Sequence, residues 1–338
     1  MATQTETIET LHEDLIRARV APGAALPSSS LRGRGWPTLT PPSPPHAAAA
    51  AQHDAQLDYY GKKLATCSSD RTIRVYDVQE GTGERVQVAE LKGHEGPVWQ
   101  LAWAHPQFGT LLASCSYDRK VCVWKEQAPN HWVRVYLYDG HDSSVNALAW
   151  APAELGLVLA CASADTTVSI LTHQADDSWT ASKIAAHQIG VNGVSWAPAY
   201  EPSALLSSAG AQPPTSAQLV TGGCDNLVKV WQHDPNTQTW SLEATLAEHT
   251  DWVRDVAWAP IASSPTAVIA SCSQDGRVLI WSRDASSGQW TQTALPRFEQ
   301  AVWRVSWSLT GGILAVSTGD NKVRACVRSP GAAEASLR

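Results

Sequence analysis

A set of repeating anchor residues limits what this chain can fold into. Four histidines each precede a tryptophan by nine residues, and these are His94, His141, His187 and His249. Phe298 holds the same place before Trp307. One aspartate then follows in each of six units, at Asp70, Asp118, Asp165, Asp225, Asp275 and Asp320. The intervals between successive aspartates are 48, 47, 60, 50 and 45 residues, so the chain contains six copies of one structural unit.

Each unit contains four short β-rich runs separated by turn residues. In the second unit they cover residues 86–91, 98–104, 111–116 and 121–124, and this spacing is typical of a four-stranded blade. A histidine, an aspartate and a strand-ending tryptophan, repeated about every 40–45 residues, are the signature of a WD-repeat propeller. We therefore predict an all-β fold, a six-bladed WD-repeat β-propeller. The longest interval is explained by a Pro, Ser and Ala-rich surface loop at residues 199–217.

The recurring histidine, aspartate, hydroxyl and tryptophan could be mistaken for a hydrolase triad. A catalytic triad is needed once, whereas this set recurs, so we interpret it as a buried hydrogen-bond network that fixes the turn between the second and third strands. The predicted network residues are His94, Asp118, Trp124, His141, Asp165, His187, Asp225, Trp231, His249, Asp275 and Trp281. No zinc-binding, phosphate-binding or nucleophile motif occurs in the sequence. The sequence therefore predicts neither an enzyme nor a cofactor.

Charge and composition exclude several classes of partner. The chain has 25 Lys+Arg against 32 Asp+Glu, a net charge of -7, so we predict no direct binding to nucleic acid or to an anionic membrane. No run approaches the roughly 20 apolar residues of a transmembrane helix, and the acidic first residues do not resemble a secretory signal. Cys67, Cys115 and Cys272 each lie three residues before a blade aspartate, so we expect buried, reduced thiols in a cytosolic protein.

Residues 17–52 depart from the repeat. They are rich in Pro, Ala and Ser and contain four arginines and no acidic residue. Removing these 36 residues restores the nine-residue spacing between His12 and Leu57, so we predict an insertion that splits the first strand of blade one. It is either a disordered loop with a binding motif or an intron translated in a gene model, and the restored spacing favours the intron. Residues 1–16 then form an N-terminal strand and the start of blade one, and residues 53–323 form the propeller.

Residues 324–338 form a divergent C-terminal tail. The chain ends as RACVRSPGAAEASLR, where the repeat calls for a tryptophan-containing strand. We predict that the sixth unit has its first two strands, a weak third strand and no outer strand of its own. Residues 3–10 could supply that outer strand and close the ring.

Several long segments carry a more specific signal. Among them are GHEGPVWQLAWAHPQFGTLLASCSYDRKVCVW, GHDSSVNALAWAP, HTDWVRDVAWAP and ASCSQDGRVLIW. Residues 53–323, together with residues 11–16, resemble the small WD-repeat subunit family of the COPII outer coat, which is shared with the Y-shaped complex of the nuclear pore. The resemblance implies an open propeller completed by a three-stranded blade from a helical-solenoid partner, a form of β-augmentation. We place the seam for that blade near Thr5, Ile8, Lys322 and Val323.

The same resemblance implies partners and a location. The partners are the large solenoid subunit of the COPII outer coat, the Y-complex nucleoporins and a vacuolar or lysosomal complex that regulates TOR signalling. The protein would act at the cytoplasmic face of the endoplasmic reticulum membrane, on COPII vesicles and at the nuclear pore complex, and would reach the membrane only through the coat. Its work would be mechanical, as a scaffold that braces the solenoid.

A WD-repeat recognition adaptor is the alternative function. Such an adaptor would bind a peptide on the rim of the propeller. It requires a ring that closes within one chain and exposed aromatic or arginine residues on one face. The candidate rim residues are Trp99, Trp252 and Trp303. We expect these indoles to pack in the core instead, because tryptophan anchors blade contacts throughout this chain.

Overall fold

A computed structural model describes residues 51–79, 81–199, 217–260, 267–284, 287–327 and 336–337. These residues form 24 strands in six four-stranded antiparallel sheets, with two short 3-10 turns at Pro106–Phe108 and Ala153–Leu155. The strands of each sheet are adjacent in the order in which they occur in the chain, so every sheet is a meander of the kind that forms a propeller blade. The prediction of an all-β, six-bladed propeller is confirmed. Most of the predicted loop at residues 199–217 lies outside the described residues.

The strands are numbered along the chain, four to a blade. Blade one contains β1 (Gln52–Leu57), β2 (Lys63–Ser68), β3 (Thr72–Val78) and β4 (Arg85–Lys92); blade two contains β5 (Val98–Trp103), β6 (Leu111–Ser116), β7 (Val121–Ala128) and β8 (His131–Tyr138). Blade three contains β9 (Val145–Trp150), β10 (Val158–Ser163), β11 (Thr167–His173) and β12 (Trp179–Ala185); blade four contains β13 (Val191–Trp196), β14 (Gln218–Gly223), β15 (Val228–Asp234) and β16 (Thr239–Leu246). Blade five contains β17 (Val253–Trp258), β18 (Val268–Ser273), β19 (Val278–Arg283) and β20 (Trp290–Ala294); blade six contains β21 (Val302–Trp307), β22 (Ile313–Thr318), β23 (Lys322–Val327) and β24 (Ser336–Leu337).

One predicted strand belongs to a different blade. The sequence pattern places the run at residues 86–91 in the same blade as Asp118, but β4 pairs with β3 in blade one. Blade two is completed by β8 instead. Only six residues join β3 to β4, and a short connection forms a hairpin between neighbouring strands. The segment after β4 crosses to the next blade, so the sequence repeat and the structural blade are offset by one strand.

Apolar residues on facing sheets form a core between consecutive blades. The described residues contain five such cores, and each combines side chains of two adjacent blades. In the first of them, Ile73 and Val75 of blade one pack with Leu101 and Leu112 of blade two, and all four are fully buried. Alternation along each strand sends one set of side chains to the preceding blade and the other set to the following blade. The inner strands are therefore apolar on both faces.

Tryptophan indoles join neighbouring blades at the ends of the first strands. Each indole Nε1–H donates to a backbone carbonyl of the preceding blade at 2.9–3.1 Å. The donor–acceptor pairs are Trp103–Gln56, Trp150–Ala102, Trp196–Ala149 and Trp307–Ala257. Each indole buries a large apolar surface and keeps its one polar group paired. This recurring role accounts for part of the unusual content of 16 Trp.

The first strand of blade one lies wholly after residues 17–51. β1 begins at Gln52, has the six-residue length of the other first strands and pairs with β2. Gln52, assigned above to the insertion, is thus the first residue of β1, and the predicted insertion before residue 51 lies outside the described residues. The strand needs only an extended run that pairs with β2, and QHDAQL supplies one. Residues 1–16 lie outside the described residues.

Gln52 is a polar residue at a position where the other first strands have a buried valine. The other five first strands begin with fully buried valines at Val98, Val145, Val191, Val253 and Val302, and removal of residues 17–52 would place Ile16 there. We expect Gln52→Val to raise the free energy of unfolding by about 1 kcal/mol, because full burial of a valine contributes roughly 1.5–3 kcal/mol. Urea denaturation measures this, with the exposed Gln79→Val as a control that gains nothing. Equal stability of the Gln52→Val variant and the unmodified chain would contradict the assignment.

The sixth blade has a complete third strand and a short outer strand. β23 pairs with β22 along six residues, and β24 adds Ser336 and Leu337 opposite Val327 and Cys326. The expectation that the tail supplies no outer strand is therefore corrected. The run KVRACV has valines at its second and sixth positions, and these β-branched residues suit a strand even without the usual tryptophan. Residues 3–10, the predicted closing strand, lie outside the described residues.

Candidate functional site

Three blades carry the same chain of buried hydrogen bonds. In blade two, the Trp124 indole donates to Ser114 Oγ (3.0 Å), Ser114 Oγ contacts His94 Nε2 (2.8 Å), and His94 Nδ1 contacts Asp118 Oδ2 (2.9 Å). The equivalent sets are Trp231, Thr221, His187 and Asp225 in blade four, and Trp281, Ser271, His249 and Asp275 in blade five. Asp118 also accepts two backbone N–H groups at 2.8 and 2.9 Å. The chain of bonds thus ties the turn between the second and third strands to the loop before the first.

The neutral form of the histidine satisfies every group in this chain. A carboxylate only accepts, so Nδ1 carries a hydrogen and donates to the aspartate. In a neutral ring, Nε2 then accepts from the hydroxyl, which accepts from the indole. Burial lowers the pKa of His249 and favours this neutral form. Burial also acts to lower the pKa of His94, but hydrogen bonds to Asp118 and Cys122 outweigh it and raise the pKa to about 9; Ser114 Oγ can then accept from both neighbours.

These polar groups hold the blades together and have no access to a substrate. Ser114, Thr221 and Ser271 have no exposed surface, and each hydroxyl is already bonded on both sides. A complete, buried network of this kind specifies packing. The described part of the chain holds no group of three or more His, Cys, Asp or Glu placed to bind a metal ion. All seven cysteines are free thiols, and six of them are buried.

Blade three keeps only half of the network. His141 Nδ1 contacts Asp165 Oδ2 at 2.7 Å. Cys161, however, stands where the complete blades have a hydroxyl, and Leu171 stands where they have a tryptophan. As a result His141 Nε2 is buried without a hydrogen-bond partner, which costs about 1–3 kcal/mol.

A hydroxyl placed beside His141 should therefore stabilise the chain. We expect Cys161→Ser to raise the free energy of unfolding by about 1 kcal/mol, because the new hydroxyl can donate to Nε2. The matched control is Cys115→Ser, which is equally buried but has no unpartnered histidine to satisfy, so its new hydroxyl should reduce stability. Chemical denaturation of both variants measures the difference, and the same loss of stability in both would refute the assignment.

The first and last blades use an arginine where the others use a histidine. Arg74 Nη2 donates to Asp70 Oδ2, and Arg324 Nη2 donates to Asp320 Oδ2, both at 2.8 Å. Each arginine lies four residues after its aspartate. In blade six Phe298 holds the histidine position, and the Arg324 guanidinium lies over its ring at 5.6 Å. The two terminal blades thus share a feature that the four inner blades lack.

No core joins blade six to blade one in the residues that the structure describes. The free face of blade one carries only a small cluster, in which Ala55 and Leu64 are buried and Leu57, Tyr76 and Val78 are partly buried. The first strands contact one another in the order β1, β5, β9, β13, β17 and β21. No comparable contact joins β21 to β1 over the described ranges. Within the described residues the ring is therefore open between blades six and one, and we call this opening the seam.

Two contacts that join other pairs of blades are missing at the seam. Leu57 holds the place of the tryptophan that elsewhere donates to the preceding blade. Asp54, Gln100 and Asp255 each accept a backbone N–H of the following blade at 2.8–3.2 Å, but Arg304 holds this place in blade six, and a guanidinium cannot accept. Burial opposes the charge of Arg304, yet Asp255 and Asp54 raise its pKa.

The walls of the seam present uncovered apolar side chains. On blade six, Leu314 and Val316 pack toward blade five, so alternation points Ile313 and Ala315 into the seam. Ile313 is 45% exposed. On blade one, Leu57 and its cluster face the opening without a partner core. Uncovered apolar surface of this kind marks an interaction site.

The outer edge of the last blade is partly unpaired. β24 covers only Cys326 and Val327 of β23, so residues 322–325 have no outer partner strand among the described residues. The predicted seam residues Lys322 and Val323 lie in this stretch, with the Lys322 ammonium 3.8 Å from Asp320. The other two, Thr5 and Ile8, lie outside the described residues. An unpaired strand edge is a template for a strand from another chain.

Sequence reasoning missed the walls of the seam, although the sequence contains a signal for them. At the sixth position of the first strand, five units have tryptophan and the first unit has Leu57. At the fourth position, the other units have leucine or valine and the first unit has Ala55. The face of blade one that lacks a neighbour is thus built from smaller side chains than its equivalents.

Comparison with known proteins identifies the family. The family model described as WD domain, G-beta repeat matches residues 49–77, 85–125, 132–170 and 240–282. A protein from Drosophila melanogaster named Protein SEC13 homolog is 53% identical over 274 residues, which cover 80% of this chain and 76% of that protein. Proteins named Protein transport protein sec13 from Aspergillus fumigatus and SEC13 from Yarrowia lipolytica are 52% and 48% identical, and each alignment covers 80% of this chain and 90% of the relative. Within the described ranges, no helix is long and apolar enough to span a membrane. The chain therefore belongs to the Sec13 family of WD-repeat β-propeller proteins.

Proposed function

We propose that this chain is a structural scaffold subunit of the COPII outer coat that accepts an inserted β-blade from a helical-solenoid partner at the seam. The observation that carries the proposal is that the described residues form no sixth core between blades six and one. Its fungal relatives are named as protein transport proteins, which agrees with a role in vesicle transport from the endoplasmic reticulum to the Golgi.

The seam offers an inserted blade apolar walls, and the neighbouring outer edge of blade six offers backbone groups that no described strand pairs. The exposed Ile313 and the partly buried Leu57 supply apolar walls on either side. The edge of β23 supplies unpaired backbone groups at residues 322–325. A strand added by the partner forms main-chain hydrogen bonds with such groups, and these contribute to the binding free energy. Burial of apolar surface contributes about 25 cal/mol per Å² more. A blade held on two sides is fixed in orientation, so the propeller can brace the solenoid that donates it.

The proposal is tested by mixing the purified full chain with the large solenoid subunit of the COPII outer coat. We expect a 1:1 complex by size-exclusion chromatography with light scattering, and a rise in the melting temperature of the propeller, because the partner binds only the folded state. A large-subunit fragment that lacks its blade-forming strands is the control and should not bind. Failure of the intact subunit to bind, or equal binding of the fragment, would overturn the proposal.

The same seam suits more than one solenoid. We extend the proposal to the Y-complex nucleoporins at the nuclear pore and to the vacuolar or lysosomal TOR-regulating complex, which the family resemblance suggests. The protein would then reside at the cytoplasmic face of the endoplasmic reticulum, on COPII vesicles and at the nuclear pore complex.

Affinity purification of the tagged chain, with and without residues 17–52, distinguishes these partners. We expect the shorter chain to recover more solenoid protein, because Ile16 would restore an apolar residue at the start of β1.

The recognition adaptor is favoured by one observation and opposed by another. It requires exposed aromatic or arginine residues, and Trp252 and Trp303 are exposed. It also requires a ring that closes within one chain, and the described residues leave the ring open. The scaffold is therefore the better-supported function, and the exposed indoles call for a separate explanation.

A further inference from the structure

A cluster beside the seam combines two exposed indoles with an arginine. Trp252 is 43% exposed and Trp303 is 37% exposed, so the expectation that they pack in the core is wrong. The Arg254 guanidinium lies over both rings, with Cζ 5.1 Å from the Trp252 centroid and 4.6 Å from the Trp303 centroid. Arg254 belongs to β17 and Trp303 to β21, so the cluster spans blades five and six.

The neighbouring residues at the same strand position are satisfied by the protein itself. Arg254 is the second residue of its first strand, and its counterparts in blades two to four are Trp99, Asn146 and Asn192. The Trp99 indole donates to Ser144 Oγ at 3.0 Å. The amides of Asn146 and Asn192 each donate to a backbone carbonyl of the next blade, at 3.0 and 2.9 Å. At this position the protein therefore normally pairs its polar groups internally.

Arg254 is the exception. One of its nitrogens, Nη2, donates to Gln274 Oε1, but Nε is buried and has no hydrogen-bond partner. No carboxylate of the described residues forms an ion pair with this guanidinium, whereas four other arginines have one, namely Arg74, Arg277, Arg283 and Arg324. The nearby Asp251 uses Oδ1 to accept the Trp252 backbone N–H at 2.7 Å. Arg254 is thus a half-buried cation that forms no ion pair with a described residue, and the charge of Asp251 acts on it only from a greater distance.

We infer that Arg254, Trp252 and Trp303 form a binding site for an acidic side chain of a peptide segment in a partner protein. The carboxylate pairs with the Nη1 edge of the guanidinium, and the apolar atoms beside it in the peptide cover the two indoles. Charge-assisted bonds to a partly desolvated arginine are stronger than neutral ones. Tryptophan and arginine are also the side chains that most often dominate protein interfaces. The site uses side chains and not a strand edge, so it is distinct from the seam.

A phage-displayed library of random dodecapeptides, selected on the full chain, tests the inference. We expect the selected peptides to share an Asp or Glu. A synthetic selected peptide should bind roughly tenfold more weakly when its acid is replaced by the amide, and roughly tenfold more weakly to the Arg254→Gln variant. In that variant the amide replacement should have no further effect, because the two groups contact each other. Fluorescence polarisation measures each affinity.

Two variants serve as controls for charge and for the seam. Arg134→Gln removes one exposed positive charge from the outer strand β8 and should leave peptide binding unchanged, as should Ile313→Asp at the seam. Melting temperatures establish that each variant is folded. Selected peptides without a shared acid, equal binding to Arg254→Gln, or a library that yields no binder would each overturn the site. None of these outcomes bears on the insertion of a blade at the seam, so the two proposals fail independently.

Discussion

Replacement of Asp275 by alanine is expected to lower the free energy of unfolding by about 3–5 kcal/mol. The Asp275 side chain is buried and accepts from His249 Nδ1 and from the backbone N–H groups of Thr250 and Arg277, at 2.8–3.1 Å. Alanine would leave the buried His249 Nδ1–H and two partly buried backbone N–H groups without their acceptor, at about 1–3 kcal/mol for each buried group. Chemical denaturation followed by tryptophan fluorescence measures the loss.

An exposed aspartate provides the matched comparison. Asp176 also caps a turn, where its Oδ1 accepts from Ser178, but it has no buried donor to satisfy. We expect Asp176→Ala to change stability by no more than about 0.5 kcal/mol. If the Asp275→Ala variant were as stable as Asp176→Ala, the network would not hold the blade together.

Replacement of Ile313 by aspartate is expected to weaken binding of the large outer-coat subunit by about 30-fold or more, while the propeller stays folded. Ile313 faces the seam and is 45% exposed in the free chain, so a charge there costs little until a partner covers it. Burying an unpaired carboxylate in the interface then costs about 2 kcal/mol or more. Isothermal titration calorimetry measures the affinity.

Leu242→Asp is the control for this experiment. Leu242 has almost the same exposure, 48%, and lies on the outer strand β16 of blade four, away from the seam. We expect the control to bind with unchanged affinity. Equal weakening by the two variants would mean that the partner does not insert at the seam.

The repeated part of the fold could be predicted because the anchor residues and the four strands recur in the same order in successive units. His94 precedes two strands that end at the turn of Asp118, and the same order recurs in the other complete blades, so the histidine and aspartate together mark the turn. Pairing across blade boundaries was harder to predict, since β4 and the run after it have no local signal that tells which sheet they join. Hairpin closure decides this, and it assigns β4 to blade one.

The indoles show why burial could not be read from residue type alone. Trp103 ends a first strand and donates to the preceding blade, whereas Trp303 is second in its strand and remains exposed. Both residues are tryptophans in a β-rich run, and only their position within the strand distinguishes the one that pairs with the preceding blade from the exposed one. The nine-residue spacing after the histidine marks the core tryptophans, and Trp303 falls outside that spacing.

The terminal blades depart from the repeat, so the repeat pattern predicts least about the two walls of the seam. Gln52 and Leu57 replace the valine and tryptophan of other first strands, and β24 is too short to carry a recognisable signal. Each change removes a contact that a closed ring would need. Among the described residues, the open side of the ring therefore coincides with positions where the residue types of the repeat are replaced.

Hydrogen exchange at residues 322–325 tests the open seam most directly. These residues lack an outer partner strand in the described chain, so in the free protein their outward amides should exchange fast, as unpaired edges do. After addition of the large outer-coat subunit, the same amides should become protected, together with the segment around Leu57. Slow exchange in the free protein would contradict the unpaired edge, and no change on binding would contradict the insertion of a partner blade.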